Sequence, residues 1–111
     1  MIACIWRGVA QVSQSERYLE YLNQSVIPHY QADAGNRGVF VLRDFQGELA
    51  HFLLLSFWES TEALIKFAGH DFEIANQHAE GEEYLISYES MIKKYQVVSV
   101  GDRSKQSFID L

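Results

Sequence analysis

Residues 48–58, ELAHFLLLSFW, have the composition of a β-strand that is apolar on both of its sides. A strand with one side in water alternates apolar and polar side chains, because successive residues point to opposite faces of the sheet. Here both alternating sets are largely apolar: Phe52, Leu54, Ser56 and Trp58 in one, and His51, Leu53, Leu55 and Phe57 in the other. The pattern predicts a sheet that is covered on both faces.

The segments on either side of this strand predict a hairpin and a helix. VFVLRDF, residues 39–45, is a second strand, and the Gln46-Gly47 pair supplies the turn between the two. Ser60 is placed to cap the following helix, and Gly69 is placed to end it. The apolar residues of that helix recur at helical spacing: Ala63, Leu64, Phe67 and Ala68.

The remaining elements complete a recognisable order. IACIWRGV, residues 2–9, predicts the first strand, and MIKKYQVVSV, residues 91–100, predicts the last. Between the first two strands the spacing predicts a helix that is capped by Ser13 or Ser15 and is ended or kinked by Pro28. The order β-α-β-β-α-β is that of the ferredoxin-like α+β fold, in which two helices cover one face of a four-stranded antiparallel sheet.

Length and composition exclude several classes of protein. A chain of 111 residues forms one domain, predicted over residues 1–100 with a tail at 101–111. A net charge of −6 argues against binding to nucleic acid or to an anionic membrane surface. No apolar run approaches the roughly 18 residues of a membrane span. The single cysteine, Cys4, cannot form an internal disulfide, which favours a cytoplasmic location.

The second face of the predicted sheet needs a cover that the chain does not supply. Two helices cover one face, and no further element is predicted for the other. A large apolar surface is rarely left in water, and twofold pairing is the commonest closed symmetry. We therefore expect a homodimer in which two sheets pack face to face.

Three segments carry a resemblance to a known family: IWRG (5–8), AGNRGVFVLRD (34–44) and FLLLSFWESTEALIKFAGHDFEIA (52–75). Together they resemble the antibiotic biosynthesis monooxygenase domain of the dimeric α+β barrel superfamily, over roughly residues 1–100. The resemblance implies a dimeric barrel with one pocket per subunit, between the sheet and its helices. Members of the superfamily include cofactor-free monooxygenases, haem-degrading enzymes and lactone isomerases, so the fold alone does not fix the reaction.

The resemblance also implies the residues of that pocket. Trp6 and His70 are the expected catalytic residues, with the histidine as base and the indole N–H holding a substrate oxygen. Arg7, Phe67 and Tyr84 are expected to bind the substrate. The alternatives remain a solvated histidine at a helix end, core packing for the indole, and an ion pair across the dimer for the guanidinium.

No cofactor or metal is expected. The haem-degrading members carry an Asn on the first strand, a Trp in the second helix and a ligating His about ten residues later, whereas this chain has Trp6 or Arg7, Phe67 and Gln77 at those positions. His70 and His78 lie too far apart along one helix to share a metal ion. The implied function is a cofactor-independent monooxygenase acting on a small aromatic or quinone-like compound. The alternatives are a non-catalytic ligand-binding barrel and a structural dimer with a vestigial pocket.

Overall fold

The computed structural model describes residues 1–69 and 81–101. Its strands are β1 (Ile2–Gln11), β2 (Asn36–Gln46), β3 (Leu49–Trp58), β4 (Ser87–Tyr88) and β5 (Lys93–Gln96). Its helices are α1 (Val12–Tyr21), a π-helical segment (Leu22–Val26), α2 (Ile27–Gln31) and α3 (Thr61–Ala68). None of these helices is both long enough and apolar enough to cross a membrane. All but the first residue of the predicted tail lies outside the described residues.

The strands form one antiparallel sheet with the ferredoxin-like order. β3 lies between β2 and β1, and both β4 and β5 pair with the other edge of β1. The predicted α+β fold class is therefore confirmed. The last strand differs from the prediction over 91–100, because its pairing is confined to Lys93–Gln96 while the separate Ser87–Tyr88 pairs further along the same edge.

The register between β1 and β3 decides which side chains face the helices. Cys4 lies opposite Ser56 and Trp6 lies opposite Leu54, so these four side chains share one face of the sheet. That face is buried beneath side chains from the helices: Tyr18, Leu22, Val26, Tyr30 and Leu64. The hydrophobic core of the domain therefore lies between the sheet and its helices.

The first helix begins earlier and ends later than predicted. It starts at Val12 and has no side-chain cap, so the predicted caps at Ser13 or Ser15 are wrong. The Ser15 hydroxyl is instead buried and accepts a hydrogen bond from Arg43 Nη1 at 3.0 Å. Helical structure also continues past Pro28 to residue 31, so the proline does not end the helix.

A wider helical turn explains how Pro28 is tolerated. Proline lacks a backbone N–H, and its ring collides with the carbonyl four residues earlier in a regular α-helix. In this chain that carbonyl belongs to the π-helical segment Leu22–Val26, where hydrogen bonds span five residues. The N–H of Ile27 accordingly donates to the carbonyl of Leu22. The longer turn thus lets the chain stay helical as far as α2.

The predicted boundaries of α3 are confirmed. The side chain of Ser60 accepts a hydrogen bond from the Ala63 N–H at 3.0 Å, which is the predicted cap. The helix ends at Gly69, whose φ of 86° lies in the left-handed region that glycine adopts without strain. This short helix is therefore fixed at both ends close to the end of β3.

The face of the sheet away from the helices is apolar, as the alternation predicted. Its central side chains are only partly buried: Ile5, Val9, Phe40, Leu53 and Leu55. Leu42, on the same face of β2, is 48% exposed. Within the described part of the chain, the helices cover only the opposite face.

Candidate functional site

A small cavity lies between the helix-side face of the sheet and helices α2 and α3. Its lining is mostly apolar and aromatic, and consists of Cys4, Trp6, Tyr30, Leu54, Ser56, Trp58, Leu64, Phe67, Ala68 and Ile92. The space open to the centre of a water molecule is about 20 Å³. That volume is enough for a single water molecule, so the lining side chains are close to contact across the cavity.

Three aromatic rings form one wall of the cavity. The ring centroids of Trp58 and Phe67 are 4.6 Å apart, those of Tyr30 and Phe67 are 5.2 Å apart, and those of Tyr30 and Trp58 are 5.8 Å apart. Each ring comes from a different element: β3, α2 or α3. Since tilted and edge-to-face packing at these distances is favourable, the wall holds the ends of the three elements together.

Two polar side chains of the lining, Trp58 and Ser56, bond to each other. Trp58 Nε1 donates to Ser56 Oγ at 3.0 Å, and both side chains are buried. Burial raises the pKa of the Cys4 thiol to about 11, against smaller opposing effects of Lys94 and of a hydrogen bond from Ser56. The thiol is therefore protonated at neutral pH and behaves as a small apolar group, not as a nucleophile.

Cys4 should make stability depend on pH in the alkaline range. Because the thiol pKa is raised from 9.0 to about 11 on folding, the unfolded chain loses its proton first as the pH rises. The contribution of Cys4 to the free energy of unfolding is then fully present below pH 9.0 and is lost between pH 9.0 and about 11. We expect Cys4→Ala to remove that part of the decline in urea unfolding measured across the range.

The range between pH 9.0 and 10.0 is the most informative. Burial raises the pKa of Tyr18 from 10.0, so above that pH this residue also lowers the free energy of unfolding in both proteins. An equal slope in the wild type and in Cys4→Ala below this pH would contradict the assignment.

Trp6 forms another part of the lining and is held from two sides. Gly8 lies beside the indole, since a Cβ atom there would come within 3.0 Å of Trp6 Cη2. The indole Nε1 donates to the backbone carbonyl of Glu89 at 2.8 Å. The ring, 2% exposed, therefore faces the cavity while its N–H is bonded to the backbone.

This geometry can be compared with known proteins. The sequence matches no protein-family profile and no curated protein. The structure resembles that of a candidate antibiotic biosynthesis monooxygenase from Deinococcus radiodurans, with a TM-score of 0.69 and 14% identity over 93% of this chain and 98% of the other. The chain has the same fold as that structure.

Two further structures with this fold have described ligands or reactions. A variant of SnoaB, a cofactor-independent oxygenase from Streptomyces nogalater, has a TM-score of 0.65 and 11% identity over 88% of this chain and 93% of its own. A variant of MhuD with two manganese protoporphyrin IX molecules per active site has a TM-score of 0.57 and 18% identity over 91% and 99%. One fold thus accommodates different chemistry, and at these identities the likeness concerns the fold alone.

The fold brings together some of the predicted site residues and separates others. Trp6 and Phe67 both line the cavity. Tyr84 packs against Tyr18 and Tyr21, with ring centroids 6.3 and 6.1 Å away, and is not among the lining residues. His70 lies outside the described residues.

Arg7 lies on the opposite face of the sheet from the cavity. It lines a shallow surface groove there with Asp44 and His51. Its Nη1 is 3.7 Å from Glu89 Oε1, and both side chains are about half exposed. An exposed pair of this kind adds little to stability. The Arg7 guanidinium therefore lies on the face of the sheet that we expect a second copy of the chain to cover.

The two histidines within the described residues occupy different surroundings. His51 faces the groove on the open side of the sheet. His29 is exposed on α2, and its ring centroid is 5.0 Å from that of Phe67. Within residues 1–69 and 81–101, no three side chains of metal-ligating type are placed to share an ion.

Sequence reasoning missed Ser56 as a lining residue. Ser56 is the single polar side chain in the otherwise apolar set that β3 turns toward the helices, and this could have singled it out. Tyr30, which the sequence allows either as a pocket residue or as part of an aromatic core face, reaches the cavity because the helix continues past Pro28.

Proposed function

We propose that the chain is a cofactor-independent monooxygenase that binds a small aromatic or quinone-like molecule in the cavity between sheet and helices. The observation that carries the proposal is the composition of the lining. It contains the rings of Tyr30, Trp58 and Phe67 and the indole of Trp6, and no lining residue of the described chain is charged. The shared fold with SnoaB, described as a cofactor-independent oxygenase, supports the same reaction class. A cytoplasmic location is part of the proposal and is supported by the lone thiol of Cys4.

The proposed reaction requires little from the protein beyond a base and an apolar space. A base removes a proton from an activated carbon of the substrate, and the resulting carbanion reacts directly with dioxygen. The hydroperoxide that forms loses water, so one oxygen atom enters the product as a carbonyl and the other leaves in water. We assign the base to His70 and the aromatic contacts to Trp6 and Phe67. Tyr84 supports the helix side of the site, and Arg7 belongs to the dimer face.

Binding an aromatic molecule requires the lining to open. A cavity that encloses such a ligand usually has about 300 Å³ or more, whereas the closed cavity admits a single water molecule. Trp58, Tyr30 and Phe67 contact one another across the ends of three elements, so small displacements of α2 and α3 from β3 would separate them. Ligand binding is therefore expected to change the environment of both tryptophans of the chain, since both line the cavity.

A non-catalytic binding protein is the alternative function. The observation in its favour is that no histidine or carboxylate is found among the lining residues of the described chain. A ligand would then be held by ring contacts and by the Ser56 hydroxyl, without proton transfer.

Oxygen uptake distinguishes the two functions. The purified protein is incubated with a panel of anthrones and hydroquinones, and oxygen consumption is followed beside tryptophan fluorescence. We expect the protein to catalyse oxygen uptake. His70→Ala should lower the rate of uptake at least tenfold, because a positioned general base usually contributes at least that much. Trp6→Phe should raise KM more than it lowers kcat, because its N–H is bonded to the backbone and its ring supplies contact area.

His51→Ala is the matched control, because this histidine faces the opposite side of the sheet. Its oxygen uptake should equal that of the wild type. Saturable fluorescence quenching without uptake would contradict the monooxygenase and support the binding protein. The absence of both responses would contradict both functions.

The open face of the sheet supports a proposal about assembly. We infer that two copies pack through this face, because its centre consists of partly exposed aliphatic and aromatic side chains with Leu42 among them. Arg7 and Asp44 lie at one end of the same face, where they can pair across the two copies. Burial of apolar area supplies the free energy of association, and the charged groups fix the relative orientation.

Leu42→Asp should convert the dimer to a monomer. The side chain is 48% exposed in one copy, so the change leaves the core of that copy intact but places a carboxylate in the proposed interface. Val12→Asp is the matched control, because Val12 is 43% exposed at the start of α1. Light scattering should give a dimer for the wild type and the control and a 12.8 kDa monomer for Leu42→Asp. A monomeric wild type at micromolar concentration would exclude this assembly.

A further inference from the structure

Trp6 connects the cavity to a tyrosine on the surface. Its ring is 2% exposed and lines the cavity, and its centroid lies 6.0 Å from that of Tyr88, which is 39% exposed. Tyr88 is held beside the indole because β4 pairs with β1 at Gly8. Two aromatic rings that can each lose an electron are thus in near contact, one facing the cavity and the other facing solvent.

The hydrogen bonds of the two rings suit the loss of an electron. Tyr88 Oη donates to a carboxylate oxygen of Glu82. A phenol becomes a strong acid once it is oxidised, and a hydrogen-bonded carboxylate can accept its proton without delay. Trp6 Nε1 donates to the Glu89 carbonyl, a dipole that stabilises positive charge on the indole. The two hydrogen bonds favour a transient charge on the tryptophan and a neutral radical on the tyrosine.

We propose that Trp6, Tyr88 and Glu82 form a path that carries oxidising equivalents from the cavity to the surface. A one-electron oxidant formed from dioxygen in the cavity, such as superoxide or an organic peroxyl radical, takes one electron from Trp6 and a proton from water and becomes a peroxide. Tyr88 returns one electron to Trp6 and passes its phenolic proton to Glu82. A soluble one-electron reductant such as ascorbate then reduces the tyrosyl radical, and the proton returns from Glu82.

The path protects the lining from its own chemistry. Cys4 and Trp58 line the same cavity and are themselves oxidisable. Trp58 contacts Tyr30 and Phe67, which line the cavity as well, so oxidation of Trp58 is passed to another residue of the site. The contact between Trp6 and Tyr88 instead leads to an exposed side chain that a reductant in solution can reach. This use of the path rests on the proposed oxygen chemistry, but the electron transfer does not.

Flash photolysis tests the transfer without any substrate. A laser pulse ionises the tryptophans, and transient absorption follows the tryptophan radical and the tyrosyl radical separately. In the wild type, part of the tryptophan signal should decay as a tyrosyl signal rises. Tyr88→Phe should remove that part, and Glu82→Gln should slow it severalfold because the amide is a poor proton acceptor. The exposed Tyr95, 45% accessible on β5, provides the control variant Tyr95→Phe, which should behave as the wild type.

The Trp6→Phe background identifies the donor. The difference between wild type and Tyr88→Phe should disappear when Trp6 is also replaced. An unchanged tyrosyl signal in Tyr88→Phe would overturn the proposed path through Trp6 and Tyr88. A tyrosyl signal that is lost only in Tyr30→Phe would also overturn it, because that result assigns the transfer to Trp58. A failed oxygen-uptake experiment with intact radical transfer would exclude the proposed function and leave the path. The reverse result would exclude the path alone.

Discussion

Trp58→Ala is expected to lower the free energy of unfolding by about 3–5 kcal/mol, which is the usual range for removing a fully buried aromatic side chain. Trp58 is 1% exposed, at the end of β3. Its ring contacts Tyr30 of α2 and Phe67 of α3. The replacement also removes the N–H that bonds to the buried Ser56 hydroxyl, so a polar group loses a partner in addition to the contacts.

Urea unfolding followed by far-UV circular dichroism measures this loss. Tyr95→Ala is the control, because Tyr95 is 45% exposed and a surface replacement usually changes stability by less than about 0.5 kcal/mol. Trp58→Phe should fall between the two, because it keeps a ring but not the N–H. A loss below about 1 kcal/mol in Trp58→Ala would show that the wall of the cavity does not hold α2 and α3 to the sheet.

Gly35→Ala is expected to destabilise the domain by about 1–3 kcal/mol, the usual cost of overpacking. A Cβ atom at this position would lie 2.6 Å from the Cβ of Ala63 in the first turn of α3. Neither atom belongs to a flexible side chain, so the helix itself must move. The Glu59 N–H donates to the Gly35 carbonyl at 2.9 Å, and this bond ties the same two segments together. The effect thus comes from separating α3 from the loop before β2.

Thermal unfolding of Gly35→Ala and Gly101→Ala makes the comparison. A Cβ atom at Gly101 meets no other atom of the described residues within 4 Å, so this variant reports the general effect of replacing glycine by alanine. We expect a lower Tm for the first variant only. Equal Tm values would indicate that α3 can shift by a few tenths of an ångström without cost.

Much of the fold could be predicted because local signals and pattern agree. Both alternating sets of β3 side chains are largely apolar. This pattern predicted a sheet with one face buried beneath the helices and a second face that is also apolar. The predicted cap at Ser60 and stop at Gly69 located both ends of α3 correctly. The strand order required the ferredoxin-like arrangement, which the sheet has. These features depend on neighbours within a few residues, or on the period of the strand.

The site was harder to predict, because it depends on which face each residue joins. Alternation states that Trp6 and Arg7 point in opposite directions, but not which of them meets the helices. That is decided by the pairing of Trp6 with Leu54 and by the position of the helices over the sheet. The proline rule failed at Pro28 because the helix changes its hydrogen-bond spacing there. The volume of the cavity depends on side-chain packing, which a sequence pattern does not contain.

The π-helical segment has an evolutionary consequence. A turn of this kind contains one residue more than an α-helical turn, so it corresponds to a single inserted codon in an otherwise regular helix. A relative that lacks both one residue of Leu22–Val26 and the proline could form a regular α-helix there, because the wider turn is what accommodates the extra residue. Its counterpart of Tyr30 would still face the aromatic wall. A difference of one residue in the length of this short segment is therefore compatible with the same ligand site, and an alignment of relatives should place its gap there.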